Sequence, residues 1–312
     1  MNKHSSYRIR FLIEFIILCS ILLALSSSLF AQAGQTGLAF LKLGVGSRAL
    51  GMGDAYSAVA ADPSAVHYNP AALSLSSTSQ ILLMHKEWIQ DVKTEFLAAK
   101  TSFDEFTVAF GINSTSVNDI PIREVAGPQE GTFNSHWAAV GLSAAYQVNS
   151  DLSFGVTGNF LYEKIFVNEA SGYGIDLGAL YQTPWDIRLA VAVNNIGSMS
   201  ALDQSSTKLP TTLRFGAAYQ RPVEAVNGVL TTALDIISIA EDSKPRTHLG
   251  AELEFEHTFS LRAGYQLGYD AKNFSLGTGV RYGAFQIGYA FVPLQSDLGT
   301  THTFSLGIEF PK

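Results

Sequence analysis

The sequence predicts an all-β protein: a closed transmembrane antiparallel β-barrel of about 14 strands with a small N-terminal helical and loop hatch in its lumen. Three observations predict this fold. Apolar residues alternate with small or polar ones over long segments, the joints between those segments are alternately short and long, and a Gly- and Ala-rich stretch without alternation comes first. The predicted domains are a cleaved signal peptide at 1–33, a hatch at 34–78 and an outer-membrane barrel at 79–312.

Composition excludes several classes of protein. Of the 312 residues, 47% are hydrophobic and only 15% are charged, which does not suit a disordered chain. The net charge of −7 argues against nucleic acid as a partner, because nucleic-acid binders carry basic patches. Only one long apolar run exists, at the N-terminus, whereas a helical membrane protein repeats runs of about 20 apolar residues.

The N-terminal segment has the pattern of a secretory signal. Lys3, Arg8 and Arg10 precede an apolar stretch at 15–25, and Ala31-Gln32-Ala33 follows as a small-residue cleavage pattern. An uncleaved anchor helix is the alternative. The single cysteine lies within this segment, so the mature chain offers neither a disulfide nor a thiolate. The expected location is the outer membrane of a Gram-negative bacterium.

The strands are predicted from a period of two. In residues 301–310, apolar side chains from His302 to Phe310 share one face, and Thr303, Ser305, Gly307 and Glu309 share the other. A soluble β-sandwich, the alternative, has strands of about 5 or 6 residues, whereas a bilayer-crossing strand needs about 9. The predicted strands are 80–89, 92–101, 105–113, 136–148, 152–165, 172–183, 187–196, 212–221, 228–238, 246–256, 259–268, 273–283, 285–293 and 301–310.

The joints support the same count, since bacterial barrels have short periplasmic turns, longer outer loops and an even number of strands. Short joints are predicted near 102–104, 149–151, 184–186, 256–258 and 283–284, and longer ones at 114–135, 166–171, 197–210, 239–245 and 294–300. Two joints, 90–91 and 221–227, do not fit this alternation, so an error of one hairpin stays open. Both chain ends of the barrel are then expected to face the periplasm.

The segment before the first strand is not strand-like. Glycines 44, 46, 51 and 53 are spaced as in loops, and Asp62-Pro63 and Asn69-Pro70 each place a capping side chain before a proline. This arrangement opens short helices. A phosphate-binding loop is excluded, because Gly46-Ser47-Arg48 lacks the Lys-Ser/Thr ending and no strand precedes it. A compact plug of a few short turns is therefore expected.

The same segment carries a specific motif. It reads GSRALGMGDA from Gly46, then ADPSA and YNPAAL, and it resembles the N-terminal signature of the PorV/PorQ family, within the wider group of FadL-like barrels. The resemblance implies a fourteen-stranded barrel with a lumenal hatch. The residues that carry it are Gly46, Ser47, Arg48, Gly51, Gly53, Asp54, Asp62, Pro63, Asn69, Pro70 and Ala71.

The resemblance also implies a function. PorV/PorQ proteins are non-enzymatic outer-membrane parts of the type IX secretion system, acting in protein secretion or surface attachment. The expected partners are outer-membrane lipid, the barrel-assembly machinery during insertion, secretion-system or surface-attachment proteins, and exported substrates, with contacts made by the joints at 114–135 and 197–210. The alternative is a FadL-like transport channel for hydrophobic small molecules, with the hatch as its gate.

Charged side chains on the small-residue faces of the strands point to a lumen charge network. Buried charges of both signs usually form structural pairs, and Arg48 and Asp54 of the hatch are candidate partners. The predicted members are Arg188, Arg214, Arg262, Arg281, Asp176, Glu252, Glu254 and Glu309. Such a lining suits an acyl chain poorly. The histidines are scattered without metal-ligand spacing, so no enzyme activity, metal or cofactor is expected.

Overall fold

The computed structural model describes residues 37–123, 127–203, 206–240, 242 and 244–310. The predicted signal peptide and the first three residues of the predicted hatch lie outside this part of the chain. The three-part division of the chain therefore stays a prediction.

Strands make up most of the described chain. Their bounds are β1 Ser79–Glu87, β2 Lys93–Phe103, β3 Phe106–Ile122, β4 Gly131–Gln147, β5 Leu152–Ile165, β6 Asn168–Gln182, β7 Ile187–Ala201, β8 Ser206–Lys208, β9 Thr212–Val223, β10 Gly228–Ile239, β11 Arg246–Phe255, β12 Phe259–Leu267, β13 Phe274–Tyr282, β14 Phe285–Pro293 and β15 Thr300–Phe310.

The strands close into one antiparallel barrel. Apart from β8, each strand pairs with its neighbours along the chain, and β1 pairs with β15 to close the ring. The three-residue β8 lies in the joint between β7 and β9, which pair directly with each other. The wall therefore has fourteen strands, and the predicted fold class is confirmed. Closure gives each of the fourteen wall strands a partner strand on both sides, as a sheet in lipid requires.

The period of two places side chains as the sequence predicts. In β2, Thr94, Phe96, Ala98 and Lys100 are buried on one face, while the residues between them face outward. Large apolar side chains are exposed around the outside, for example along β12, where a lipid-facing surface would have them. Among the described residues, no helix is long and apolar enough to cross a membrane.

Aromatic side chains collect at the rim that carries the short turns. Such girdles mark the boundary between lipid hydrocarbon and water in membrane barrels. Exposed members at this rim are Phe103, Phe106, Tyr146, Trp185, Tyr219, Phe259, Tyr282, Phe285 and Phe310. The barrel's two chain ends lie at the same rim, because Ser79 is paired with Phe310.

The predicted long joint at 114–135 is wrong in its extent. β3 continues to Ile122 and β4 begins at Gly131, and the two strands stay paired up to these residues. The register shifts between Val117 and Ile120, and the extension carries polar residues on both faces. Because of these two features, the extension lacks the apolar–polar alternation from which the strands were predicted.

Other joints differ in smaller ways. The predicted joint at 166–171 is a two-residue turn at 166–167, in which Phe166 has a φ of 56°. The predicted joint at 197–210 is partly strand, because β7 runs to Ala201 and β8 lies within it. The two joints that did not fit the alternation contain 3₁₀ turns, Ile89–Asp91 and Glu224–Val226.

Residues 37–78 lie inside the barrel as four short helical pieces. These are the 3₁₀ helix Ala39–Lys42, the α-helices Ser47–Gly51 and Ala65–Tyr68, and the 3₁₀ helix Pro70–Leu75. Ser47–Gly51 packs against β12 to β15, and Pro70–Leu75 packs against β3 to β6 on the other side of the ring. The segment therefore fills the lumen between two walls, and we call it the hatch.

The main apolar core lies between the hatch and the wall. Val45, Tyr56 and Tyr68 of the hatch are fully buried against small wall residues such as Ala98 and Ala145. Glycines bring the two backbones closer still. A Cβ atom on Gly155 would lie 2.3 Å from the amide nitrogen of Ala71, and one on Gly178 would lie 2.0 Å from Oδ1 of Asn69.

Candidate functional site: the hatch in the barrel lumen

An ionic bridge joins the hatch to the wall. The Arg48 guanidinium donates to both carboxylate oxygens of Glu252, with a shortest distance of 2.6 Å. Arg262 donates to the same carboxylate from the wall, Nε to Oε2 at 2.5 Å. Glu252 is buried and its charge is met from two sides, so this group can hold Ser47–Gly51 against β11 and β12.

Two buried lysines of the wall bind backbone carbonyls of the hatch. Lys100 Nζ donates to the carbonyl oxygens of Ala61 at 2.9 Å, Leu73 at 3.1 Å and Ser76 at 2.8 Å. Lys86 Nζ donates to the carbonyl of Gly44 at 3.0 Å. Neither lysine is among the site residues predicted from the sequence. The alternation in β2 could have found Lys100, because it shares a face with Phe96 and Ala98.

Asp54 is the centre of a second polar group. Its carboxylate accepts from the Tyr68 hydroxyl at 2.8 Å and from Gln266 Nε2 at 3.2 Å, and the Lys272 ammonium lies 3.9 Å away. Burial alone would raise the pKa of Asp54. The Lys272 charge, a histidine of β11 and the Tyr68 hydrogen bond outweigh burial and bring that pKa down to about 2.

Asp235 of β10 binds the middle of the hatch. Its carboxylate accepts from the backbone amides of Tyr56 at 3.2 Å and Ser57 at 3.0 Å, and from the Ser57 hydroxyl at 2.8 Å. Asp235 is fully buried. The sequence analysis missed this residue, although its position among alternating residues of β10 assigns it to the inner face.

The two Asx-Pro steps of the motif cap the hatch turns. Asn69 Oδ1 accepts from the Ala71 amide at 3.1 Å, and its Nδ2 donates to the carbonyls of Ser57 and Ala179. Asp62 Oδ1 accepts from the Ser64 amide at 2.8 Å, and its other oxygen accepts from the Tyr56 hydroxyl. Pro63 and Pro70 follow these caps in the chain.

The motif glycines have separate tasks. Gly46 and Gly53 have φ angles of 84° and 64°, a backbone region that other residues rarely adopt. Gly51 lies so close to the wall that a Cβ on it would be 2.9 Å from Cα of Gly277. Ser47 donates its backbone amide to the Ser305 hydroxyl at 2.9 Å. The motif therefore sets the local turns of the hatch and its fit to the wall.

The structure does not bring the eight predicted lumen charges into one group. Asp176 accepts from the Asn195 amide at 2.6 Å and from Asn159 Nδ2 at 2.8 Å. Arg188 donates to the carbonyl of Ala58 at 3.1 Å, and Arg214 lies over the Tyr68 ring at 5.4 Å. Only Glu252 and Arg262 pair with each other among the described ion pairs.

The remaining three predicted charges lie near the short-turn rim. Glu254 pairs with His257 at 2.7 Å, and Arg281 lies beside Gln286. Together with Glu309, they line a cavity of about 300 Å³ between the hatch and the wall of β11 to β15 and β1. We call this cavity the rim cavity. Arg48, Glu252 and Arg262 form its charged side, and Gly279, Gly288 and Leu82 lie among its uncharged lining residues.

A smaller cavity of about 40 Å³ lies at mid-height against the wall of β2 to β9. We call it the polar chamber. Its polar lining includes His67, Asn113, Asn159, Asp176, Asn194 and Arg214, and its apolar lining includes Leu41, Val66, Phe96 and Ala139. Burial and, to a smaller extent, the positive charge of Arg214 lower the pKa of His67 to about 3. His67 is therefore neutral at physiological pH.

An apolar cluster lies on the loop side of the polar chamber. Leu38, Phe40 and Leu41 of the hatch pack there with wall residues that include Leu161 and Met199. Leu41 and Ala139 belong both to this cluster and to the chamber lining. Among the described residues, no group of three or more histidines, cysteines or acidic residues is placed to hold a metal ion.

Comparisons with known proteins place the fold. No protein-family model matches the chain, and no curated protein matches it. The solved structure of the Pseudomonas putida toluene transporter TodX is similar with a TM-score of 0.61 and 14% identity, covering 89% of this chain and 97% of that one. The CymD monoaromatic hydrocarbon channel is similar with a TM-score of 0.59 and 13% identity, covering 89% and 99%.

These likenesses show the fold, which is that of FadL-like outer-membrane barrels. At 13 to 14% identity they show the fold alone, and they do not support PorV/PorQ specifically. The proteins that share the fold are transport channels by name. At such low identity their substrates are not carried over to this chain as findings.

Proposed function

We propose that this chain is an outer-membrane channel for small hydrophobic or amphipathic molecules, with the hatch as its gate. The observation that carries the proposal is the hatch inside a closed fourteen-stranded barrel, with the rim cavity on one side and the polar chamber and apolar cluster on the other. The hydrocarbon channels of the same fold support this proposal over a secretion role. A transport role needs no catalytic residues, and we propose a protein that is not an enzyme.

The size and lining of the rim cavity support small solutes. Its volume of about 300 Å³ exceeds that of an engineered cavity of about 150 Å³ that holds benzene. Its charged side, with Arg48 and Glu252, disfavours a long acyl chain, which would bury these groups against methylenes. Single aromatic rings and short amphipathic molecules are therefore the proposed cargo.

The proposed location is the outer membrane of a Gram-negative bacterium. The exposed apolar belt would contact lipid, and the alternating last strand, which ends at Phe310, would be read by the barrel-assembly machinery. Because membrane barrels keep short turns on the periplasmic side, the rim with Ser79 and Phe310 is assigned to the periplasm. The long β3–β4 hairpin would then rise on the cell surface.

Uptake by whole cells tests the channel. A Gram-negative host without a hydrocarbon channel of its own would express the full chain, and the initial uptake of radiolabelled toluene would be compared with that of vector-only cells. We expect a several-fold faster uptake of toluene and unchanged entry of sucrose, a polar control solute. Equal toluene uptake in the two strains would refute the channel.

A role in type IX secretion or surface attachment is the second candidate. The β3–β4 hairpin favours it, since both strands have 17 residues while β12, β13 and β14 have 9 each. Such an extension offers a surface to secretion-system proteins or exported substrates outside the occupied lumen. Surface proteomics of a deletion strain of the source organism tests this candidate. Loss of exported proteins from the surface would support it, and an unchanged surface would exclude a non-redundant role.

A further inference from the structure

The polar chamber contains buried polar atoms without partners. Among the described residues, His67 Nε2, Asn113 Oδ1, Asn194 Oδ1 and Arg214 Nε and Nη1 have no hydrogen-bond partner. Asn113 is 6% exposed, Asn194 is 3% exposed and Arg214 is 7% exposed. Buried polar groups in folded proteins are nearly always paired, with protein groups, with ordered water or with a bound ligand. A cluster of unpaired atoms around one cavity therefore points to a bound partner.

The unpaired atoms restrict the chemistry of that partner. Arg214 can only donate, the two asparagine carbonyl oxygens can only accept, and neutral His67 can do either at Nε2. A hydrocarbon would leave all of these polar atoms without a hydrogen-bond partner. A carboxylate would satisfy Arg214, but it would face the asparagine oxygens and the Asp176 carboxylate, which lines the same chamber. A hydroxyl group can donate and accept hydrogen bonds at one oxygen atom. It therefore matches both the donors of Arg214 and the acceptor oxygens of the asparagines.

Part of the chamber lining suits an apolar body. Leu41, Val66 and Phe96 belong to this part, and Leu41 and Ala139 are shared with the apolar cluster on the loop side. The free volume of about 40 Å³ admits a head group, since one water needs roughly 10 to 15 Å³ on the same measure. An aromatic ring does not fit inside it. Its place would be along Leu41 and Ala139, toward the apolar cluster.

We propose that the polar chamber is a binding site for the hydroxyl head group of a small amphipathic molecule, such as a phenol. This inference rests on the proposed channel and names its substrate class: hydroxylated aromatics or short alcohols in preference to the corresponding hydrocarbons. Arg214 donates a hydrogen bond to the hydroxyl oxygen, and the hydroxyl donates a hydrogen bond to Oδ1 of Asn113 or Asn194. The specificity-determining residues are then on β3, β7 and β9.

Phenol and toluene differ by a hydroxyl in place of a methyl group, so they form a matched pair of probes. The binding of 4-fluorophenol and of 4-fluorotoluene to the purified full chain in detergent would be measured by fluorine NMR. We expect the phenol to bind at least tenfold more tightly. In Asn113→Leu this preference should fall at least threefold, and in Thr303→Val, which removes a buried unpaired hydroxyl outside the chamber lining, it should not change.

Each outcome decides the inference. Equal binding of the two probes, or a preference that survives both Asn113→Leu and Asn194→Leu, would mean that the chamber holds only water and would overturn it. If toluene enters cells but the phenol is not preferred, the inference fails while the channel stands. If cells take up neither toluene nor phenol, the channel fails as well. Folding of each variant is checked by its heat-dependent mobility in gels.

Discussion

The Arg48 guanidinium in the hatch lies 2.6 Å from the Glu252 carboxylate in β11, although 204 residues separate them in sequence. Arg262 approaches the same carboxylate from the next strand. The Glu252 carboxylate is therefore an anion shared by two arginines, and it connects the hatch to the wall. A hatch held this way should be loosened by one substitution that leaves the outer surface of the barrel unchanged.

Removing the Glu252 charge should destabilise the folded protein. In Glu252→Gln two arginines lose their shared counter-ion, and breaking a buried pair costs about 3 kcal/mol. Glu254→Gln on the same strand is the matched control, because Glu254 pairs with His257 near the surface and should cost less than about 1 kcal/mol. Urea unfolding in lipid vesicles, followed by tryptophan fluorescence, measures both. Equal losses would contradict the bridge.

Lys100 should hold the hatch closed. Replacing it in Lys100→Met removes three hydrogen bonds to hatch carbonyls, each worth about 1.5 to 3 kcal/mol when one partner is charged. We expect larger and more frequent conductance steps in planar bilayers. Lys93→Met is the control, since Lys93 is exposed at the start of the same strand. Identical traces for the two variants would argue against the clamp.

The close approach of hatch and wall at Gly155 should not tolerate a side chain. In Gly155→Ala the new methyl group would meet the Ala71 amide nitrogen at 2.3 Å, and backbone atoms cannot give way as a flexible side chain can. We expect a loss of about 1 to 3 kcal/mol. Gly158→Ala lies on the same strand in open space and should be nearly neutral. The same unfolding assay would disprove the contact if both variants behaved alike.

Acid should weaken the hatch through His67 and Asp54. The pKa of His67 is about 3 in the folded state against about 6.5 when exposed, so the unfolded chain takes up the proton first and stability falls between pH 6.5 and 3. At pH 5 this amounts to about 2 kcal/mol. Asp54, whose pKa is about 2 in the folded state, causes a further loss of folding stability as pH falls below about 4.

The variant His67→Gln separates the contributions of His67 and Asp54 to the pH dependence of stability. It should be less sensitive than the wild type between pH 7 and 5, and it should keep the loss below about pH 4 that Asp54 causes. Unfolding free energies measured at pH 7, 5 and 3.5 provide the comparison. Parallel curves for the two proteins over the whole range would refute the role of His67.

The fold could be predicted from the sequence because period-two alternation is a local property. All fourteen wall strands follow from it, whereas the joints at 114–135, 166–171 and 197–210 are partly strand and so differ from the prediction. The prediction failed where alternation is absent, as in the extension of β3 to Ile122, where polar residues occupy both faces. In this extension neither face is continuously apolar, and strand pairing with β4 alone continues the strand.

The site could be predicted only in part. The caps at Asp62 and Asn69 could be predicted, because in each case a capping side chain comes directly before a proline in the sequence. The partners of Glu252 and Lys100 could not be predicted. Barrel closure and the path of the hatch decide which residues meet across the lumen. The unpaired atoms of the polar chamber could not be predicted either, because they come from four separate segments: the hatch, β3, β7 and β9.

A disulfide between hatch and wall tests the gate most directly. A Cβ on Gly288 would lie 3.4 Å from Cβ of Ser47, close to the roughly 3.5 to 4.5 Å of a disulfide. Toluene uptake would be measured in cells that express Ser47→Cys/Gly288→Cys, before and after reduction, with each single cysteine variant as control. We expect uptake to be blocked when the disulfide is formed and restored when it is reduced. Equal uptake in the oxidised and reduced states would contradict a mobile hatch.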